Sequence, residues 1–209
     1  MVRAVITLLS ALPLTACSVF GGSGVEIAAY QVVQSENDIE IRRYERLVLA
    51  TTPLPDGMAG DRNAAFRRLF NYIAGENRAN REIDMTAPVL MAEPGAGESI
   101  DMTAPVLIDA GGEPSMAFVL PASYTLDTAP RPTDPSVHLK QLETWTVAAI
   151  RFSGSLSTSN ARTHRERLTR WLTDSEWRAN GPYVVAGYNP PWTLPMLRRN
   201  EVLVPVERR

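Results

Sequence analysis

The side chains able to do chemistry in this chain are few and scattered. Its 209 residues hold one cysteine and two histidines. Arg198-Arg199-Asn200-Glu201 concentrates charge, yet no serine–histidine arrangement or carboxylate pair accompanies it. We therefore read it as a structural ion-pair and hydrogen-bond cluster at the start of a closing strand, not as a catalytic centre. His138 stands between Val137 and Leu139, and if those two face the core, strand alternation turns its ring outward. His164 falls in a helical stripe with Ala161, Leu168, Trp171 and Leu172. Its ring can turn toward a cleft and ligate a metal weakly, although a boundary histidine more often just packs. No other metal site is expected. Cys17 excludes any intramolecular disulfide and directly follows Leu14-Thr15-Ala16, a setting for thiol acylation.

That tetrapeptide looks like a bacterial lipobox. Met1-Val2-Arg3 carries one positive charge, and the mostly apolar run Ala4 to Pro13 is short of the roughly 20 residues that span a bilayer. Residues 1–16 are thus expected to be a lipoprotein signal peptide and residues 17–29 a lipidated tether, with 30–209 as the domain. Lipidation of Cys17 would hold the chain on a membrane without spanning it. Ser18 next to it, by resemblance to envelope sorting, favours the periplasmic face of the outer membrane. Removing residues 1–16 takes away Arg3, leaving 20 basic against 23 acidic side chains, a net charge of −3. Nucleic acid is therefore not an expected partner, and we expect a monomer.

The octapeptide Ile-Asp-Met-Thr-Ala-Pro-Val-Leu occurs at 83–90 and again at 100–107. Ile83, Met85 and Ala87 alternate with Asp84 and Thr86, as a strand requires, while Pro88 and Pro105 cannot donate to a ladder. The copies are expected to pair as a long-looped hairpin at a sheet edge or bulge, across the turn chemistry of Glu93 to Gly97. Met85 and Met102 fill irregular apolar space.

Around these residues the elements come in a repeated order. Gln31 to Val33 and Ile39 to Tyr44 read as strands across an Asn37-Asp38 turn, and Leu47 to Thr52 as a third. Asp61 caps a helix to about Ala74, with Phe66, Leu69, Phe70 and Ile73 at helical spacing and Gly75 as its stop. The repeat and the strand Met116 to Leu120 follow. Beyond a loop with Pro130, Pro132 and Pro135 come strands at Val137 to Leu139 and Trp145 to Phe152. Ser157 or Ser159 then caps a second helix that ends before Gly181-Pro182, ahead of strands at Tyr183 to Tyr188 and Val202 to Val206. Strands, helix, strands, twice over, predict an α+β fold of two similar halves, each a curved antiparallel sheet with one helix. An apolar cleft between helix and sheet is the expected ligand site, and the stiff apolar segment Asn189 to Met196 is a candidate lid.

Several segments in combination carry a family resemblance: Glu40-Ile41-Arg42 before Tyr44, Phe66 to Asn77, Met-Thr-Ala-Pro-Val, Phe118 to Pro121, Phe152-Ser153-Gly154, Ala186 to Pro191, and Arg198 to Val202. From about Tyr30 to Val206 the chain resembles the SOUL haem-binding proteins. The resemblance implies a distorted β-barrel of two pseudo-symmetric halves and affinity for haem or another tetrapyrrole in an apolar cleft; it does not imply an enzyme, and none is expected. An animal member carries a histidine where this chain has Arg43, so that ligand is absent. The expected pocket comprises Arg43, Tyr44, Phe66, Phe70, Met85, Met102, His164, Trp192 and Met196. Arg43, Arg67 and Arg68 are candidate propionate partners, and the axial ligand is left open among His164, Met85, Met102, Met196, Tyr44 and Tyr188. Two other classes stay in view: a binder of other amphipathic hydrophobes, and a hydrolase of a lipophilic compound.

Overall fold

The structure, a computed structural model, describes residues 25–92, 114–190 and 192–209. Strands β1 (Glu26–Ile27), β2 (Tyr30–Glu36), β3 (Ile39–Tyr44) and β4 (Leu47–Pro53) precede helix α1 (Arg62–Ile73) and strands β5 (Thr86–Ala92) and β6 (Ser115–Val119). Then come β7 (His138–Leu142), β8 (Trp145–Phe152), helix α2 (Thr158–Thr173), β9 (Trp177–Ala179), β10 (Val184–Gly187) and β11 (Asn200–Arg208). Local chemistry sets the helix starts. The Asp61 carboxylate accepts from Ala64 N–H at 3.0 Å and the Ser157 hydroxyl from Asn160 N–H at 3.2 Å, each satisfying a donor the helix leaves unpaired. Gly75, at φ +108°, ends α1 in a conformation that side-chain-bearing residues avoid.

The described strands form one sheet in the order β2-β3-β8-β11-β10-β5-β6-β4-β7, with β1 beside β5 and β9 beside β11. The two halves meet where β10 pairs antiparallel with β5. Their edges are exchanged. β3 leads into β4 yet pairs with β8, while β7 leads into β8 yet pairs with β4. Both helices lie on one face, over a core that includes Ala65, Leu69, Leu168 and Leu172. The opposite face forms a second core, in which Tyr44 of β3 and Leu142 of β7, from the two ends of the strand order, join Leu90 of β5 and Leu203 of β11. Residues from near both ends of the strand order share this one core, so the sheet curls into a distorted barrel. Small side chains permit that curl, since Ala87, Ala92, Ala117, Ala149 and Ala186 face inward beside the bulky Tyr44 and Trp145.

The first copy of the octapeptide takes the second of its two expected settings, an edge or a bulge: β5 lies mid-sheet between β10 and β6, and Pro88 sits at a bulge. Pro88 is tolerated there because pairing with β10 stops at Val89 while β1 takes over at Ala87, and the β6 register shifts between Thr86 and Val89. The second copy, Met102 included, lies outside the described residues. Two expectations need correcting. α2 ends at Thr173, and the next segment turns through Ser175 into β9, where Trp177 is buried and donates its indole N–H to Gln34 at 3.0 Å. Finally, the sheet begins at Glu26, inside the stretch expected to be tether.

Candidate functional site

α1 presents Arg62, Phe66 and Phe70 four residues apart, on one stripe of the helix. Phe66 and Phe70 stack with centroids 6.2 Å apart and planes 14° from parallel, and Phe66 meets the core edge-on through Phe118. Phe70, 46% exposed, leaves an aromatic face open. At the head of the stripe the Arg62 guanidinium donates to the Leu156 carbonyl at 3.0 Å. Gly154, at φ +97°, donates its N–H to the Pro195 carbonyl at 2.8 Å. These contacts tie α1 to the loop between β10 and β11.

That loop combines internal order with apolar exposure. Tyr188 N–H donates to Arg199 O, Arg199 N–H to the Asn189 side-chain oxygen, and the Arg198 guanidinium to the Thr193 carbonyl. Thr193 N–H donates to Pro190 O and Leu197 N–H to Leu194 O. With these polar groups satisfied from within, the loop displays Trp192 (83% exposed), Met196 (74%), Leu197 (68%) and Leu194 (59%) to the outside. Scattered apolar residues on a surface mean little, but four within six residues on an ordered loop form a patch. The aromatic wall of α1 and this loop are the apolar surfaces offered to a ligand on the helix-bearing side.

Inside the barrel lies a different arrangement. Glu201, fully buried, receives a two-pronged ion pair from Arg42 (2.6 and 3.1 Å), a second from Arg199 (2.7 and 2.9 Å), and the Tyr188 hydroxyl at 2.7 Å. Arg42 also meets Glu40 at 2.6 Å, and Arg199 donates to the Tyr30 hydroxyl at 3.2 Å. The guanidinium of Arg42 lies over the Tyr30 ring and that of Arg199 over the Tyr188 ring. Burial alone pushes the Glu201 carboxyl up, but the Arg42 hydrogen bonds and charge, with Arg199 behind them, outweigh it and hold the group below the usual carboxylate range. Burial raises the Tyr188 phenol, and the Glu201 charge adds to the effect. The cluster is charge-neutral and occupied by its own partners, which suits a structural role. Among the described residues the Tyr44 hydroxyl, beside Arg42 and Tyr188, finds no well-directed hydrogen-bond partner, and neither does the Trp145 indole N–H or the Thr86 hydroxyl.

The expected pocket residues are distributed over several places. Phe66, Phe70 and Met85 lie on the α1 side, with Met85 half-buried against the helix-facing core, while Trp192 and Met196 lie on the loop. His164 is half-buried in α2, its ring stacked on Phe152 at 4.3 Å and its Nδ1 at 2.8 Å from the Asn160 carbonyl oxygen. His138 is exposed on β7, as alternation required. Tyr44 is no groove residue. It shares the parity of Arg42 on β3, points into the barrel and is enclosed between Tyr30 and Trp145. Arg43 points the other way and lines a separate cavity of about 280 Å³ with Tyr30, Arg46 and Tyr124. That volume is under the roughly 300–1,000 Å³ of typical small-molecule pockets. Arg68 is committed to Thr52 and Pro53, whereas Arg67 is exposed. Arg42 was missed among the functional candidates, although the alternation in Glu40-Ile41-Arg42-Arg43-Tyr44 puts residues 40, 42 and 44 on one side.

Among the described residues no group of three or more histidine, cysteine or acidic side chains is placed to hold a metal ion. Among the described residues, a curled sheet of two like halves with two helices on one face defines an α+β barrel protein, with an apolar patch on the loop after β10. Its sequence is 29% identical over 140 residues to heme-binding protein 1 of Xenopus tropicalis, covering 66% of this chain and 67% of that protein. It is 30% identical over 142 residues to human heme-binding protein 2, covering 66% of this chain and 62% of that one. Residues 25–205 match the SOUL heme-binding protein family, and the chain belongs to that family. Among solved structures, the EcmrR C-terminal domain superposes with a TM-score of 0.59 at 10% identity, covering 86% of this chain and 99% of that one. A hydrolase from Listeria innocua gives 0.53 at 8% identity, covering 84% of this chain and 94% of that one. At such identities the likeness concerns the fold alone.

Proposed function

We propose that the chain binds haem or a related tetrapyrrole between the Phe66–Phe70 stripe and the loop after β10. In this proposal it acts as a lipid-anchored buffer, carrier or scavenger on the periplasmic face of a bacterial outer membrane, with no catalytic step. The observation that carries the binding proposal is the pair of exposed apolar surfaces joined through Arg62, Leu156, Gly154 and Pro195. Family membership and the names of the relatives support a porphyrin as the occupant. The residues fit such a group. A flat macrocycle needs apolar faces, which Phe66, Phe70, Trp192 and Met196 supply, and its propionates need a cation, which exposed Arg67 supplies. Burial at about 25 cal/mol per Å² suffices for micromolar binding without an iron ligand, even after association costs. Haem supplies the iron and the absorbance; the protein supplies the apolar walls and the charge.

An absorbance titration with haemin, run beside an anionic naphthalene dye as a non-tetrapyrrole hydrophobe, is expected to give a saturable Soret shift that the dye displaces poorly. Equal competition by the dye would favour a general binder of amphipathic molecules, and no Soret change would end the tetrapyrrole proposal. His164→Ala is expected to leave the Soret band in place, because the ring is held by Phe152 and Asn160. A shifted band would make His164 an axial ligand.

A further inference from the structure

We infer that the loop between β10 and β11 is a membrane-contacting surface, and that its occupant is the headgroup and upper acyl region of a phospholipid bilayer. The inference rests on the proposed lipidation of Cys17 and adds which face of the molecule meets the lipid.

Strand directions supply the first observation. β1 runs parallel to β5 and starts beside it, Glu26 pairing with Thr86. β10 runs antiparallel to β5 and its last residue, Gly187, pairs with Val89. The start of β1 and the exit of β10 therefore lie at the same end of the sheet, the end where β5 begins. Val25 is only eight residue steps from Cys17. Even fully extended, at about 3.3–3.6 Å per residue, they reach roughly 28 Å. An acylated Cys17 accordingly roots the anchor at this end of the sheet, the end from which the loop after β10 emerges.

Side chains supply the second. Trp192, Leu194, Met196 and Leu197 are all exposed on the loop, and Ile27 on β1, at the same end, is 47% exposed. Tryptophan prefers the membrane interface, where an apolar ring with one polar edge is matched to its surroundings. Backbone is the usual obstacle to burying a loop in lipid, because an unsatisfied N–H or C=O is costly there. Here Thr193, Leu197, Arg198 and Gly154 donate N–H bonds to carbonyls of the loop itself, and the Arg198 side chain occupies the Thr193 carbonyl. The loop can thus enter the interface with much of its polar backbone already paired.

The test uses residues 17–209, which contain every described element, carrying Cys17→Ser so that no acyl chain contributes. Vesicles of phosphatidylethanolamine and phosphatidylglycerol with brominated acyl chains serve as the probe. Trp192 emission is expected to shift to the blue and to be quenched, and both changes should be lost in Trp192→Phe, since Trp145 and Trp177 are buried and Trp171 is half-buried on α2 with its indole N–H donated to Glu36. Combining Leu194→Ser, Met196→Ser and Leu197→Ser is expected to raise the lipid concentration for half-maximal quenching about tenfold, because interfacial binding scales with buried apolar area. No quenching, or quenching unchanged by the triple substitution, overturns the inference, as does self-association through the loop without vesicle binding. Membrane fractionation of the wild-type chain against Cys17→Ser tests the anchor separately, and the haemin titration tests ligand binding separately, so each of the three proposals can fail alone.

Discussion

Replacing Glu201 with glutamine or alanine is expected to lower folding stability by about 3–5 kcal/mol, the range found when one partner of a buried ion pair is removed. The carboxylate is fully buried and is the meeting point of Arg42, Arg199 and Tyr188. Without it, two guanidinium groups remain with Glu40 as the one nearby carboxylate, and Arg42 is almost wholly buried. Urea unfolding checks the magnitude. A loss of under about 1 kcal/mol, as at an exposed pair, would show that water reaches the cluster. Arg42→Met combined with Glu201→Met should cost less than the sum of the two single changes, because the pair is then removed together. The same site sets an acid limit. Since the folded Glu201 carboxyl titrates below its ordinary value of 4.5, its contribution to stability is fully present above that pH and is lost as pH falls through the folded value. Stability measured across the acid range should therefore decline less steeply in Glu201→Gln than in the wild type.

Trp192→Ala is expected to weaken haem binding by about 1–3 kcal/mol, roughly fivefold to 150-fold, the usual range for an aromatic anchor in a binding site. Its melting temperature should be unchanged, because an indole that is 83% exposed contributes little packing. Bound haem should also quench Trp192 fluorescence by energy transfer. Phe70→Ala should behave in the same way on the opposite wall. Unaltered affinity in both variants would remove the groove from the binding proposal, whereas a lower melting temperature with unaltered affinity would mean that these side chains serve packing alone.

What could be read from the residues was mostly what they decide locally. The β2–β3 turn at Asn37, the caps at Asp61 and Ser157 and the glycine stop of α1 follow from near neighbours, and all were legible. The two-half order was legible too, because each half repeats its pattern of apolar periods. Strand order was not. Pro88 argues for an edge or a bulge, and only the fold, in which β10 and β1 share one flank of β5 and change over beside that proline, decides for the bulge. β9, three residues long, is too short to carry a period of its own and merges with the pattern of α2. At the site, the charged cluster at Arg198 to Glu201 was recognised, but its distant partner Arg42 was not, since only the pairing of β3, β8 and β11 brings residue 42 to residue 201. Apolar composition marked the loop from Asn189 to Met196, while its exposure is a property of the whole fold.

The exchange of β3 and β7 between the halves makes their likeness misleading as a guide to dissection. A fragment ending in the proline-rich connection after residue 129 would keep β3 but not β8, the strand β3 pairs with, and would lose β7 from the flank of β4. The complementary fragment would lack β3 in turn. Each piece would expose an unpaired strand edge, a template for aggregation. Two like halves can thus be visible in the architecture without either being a separable module: the halves are interlocked, and a cut at their midpoint would break both at once.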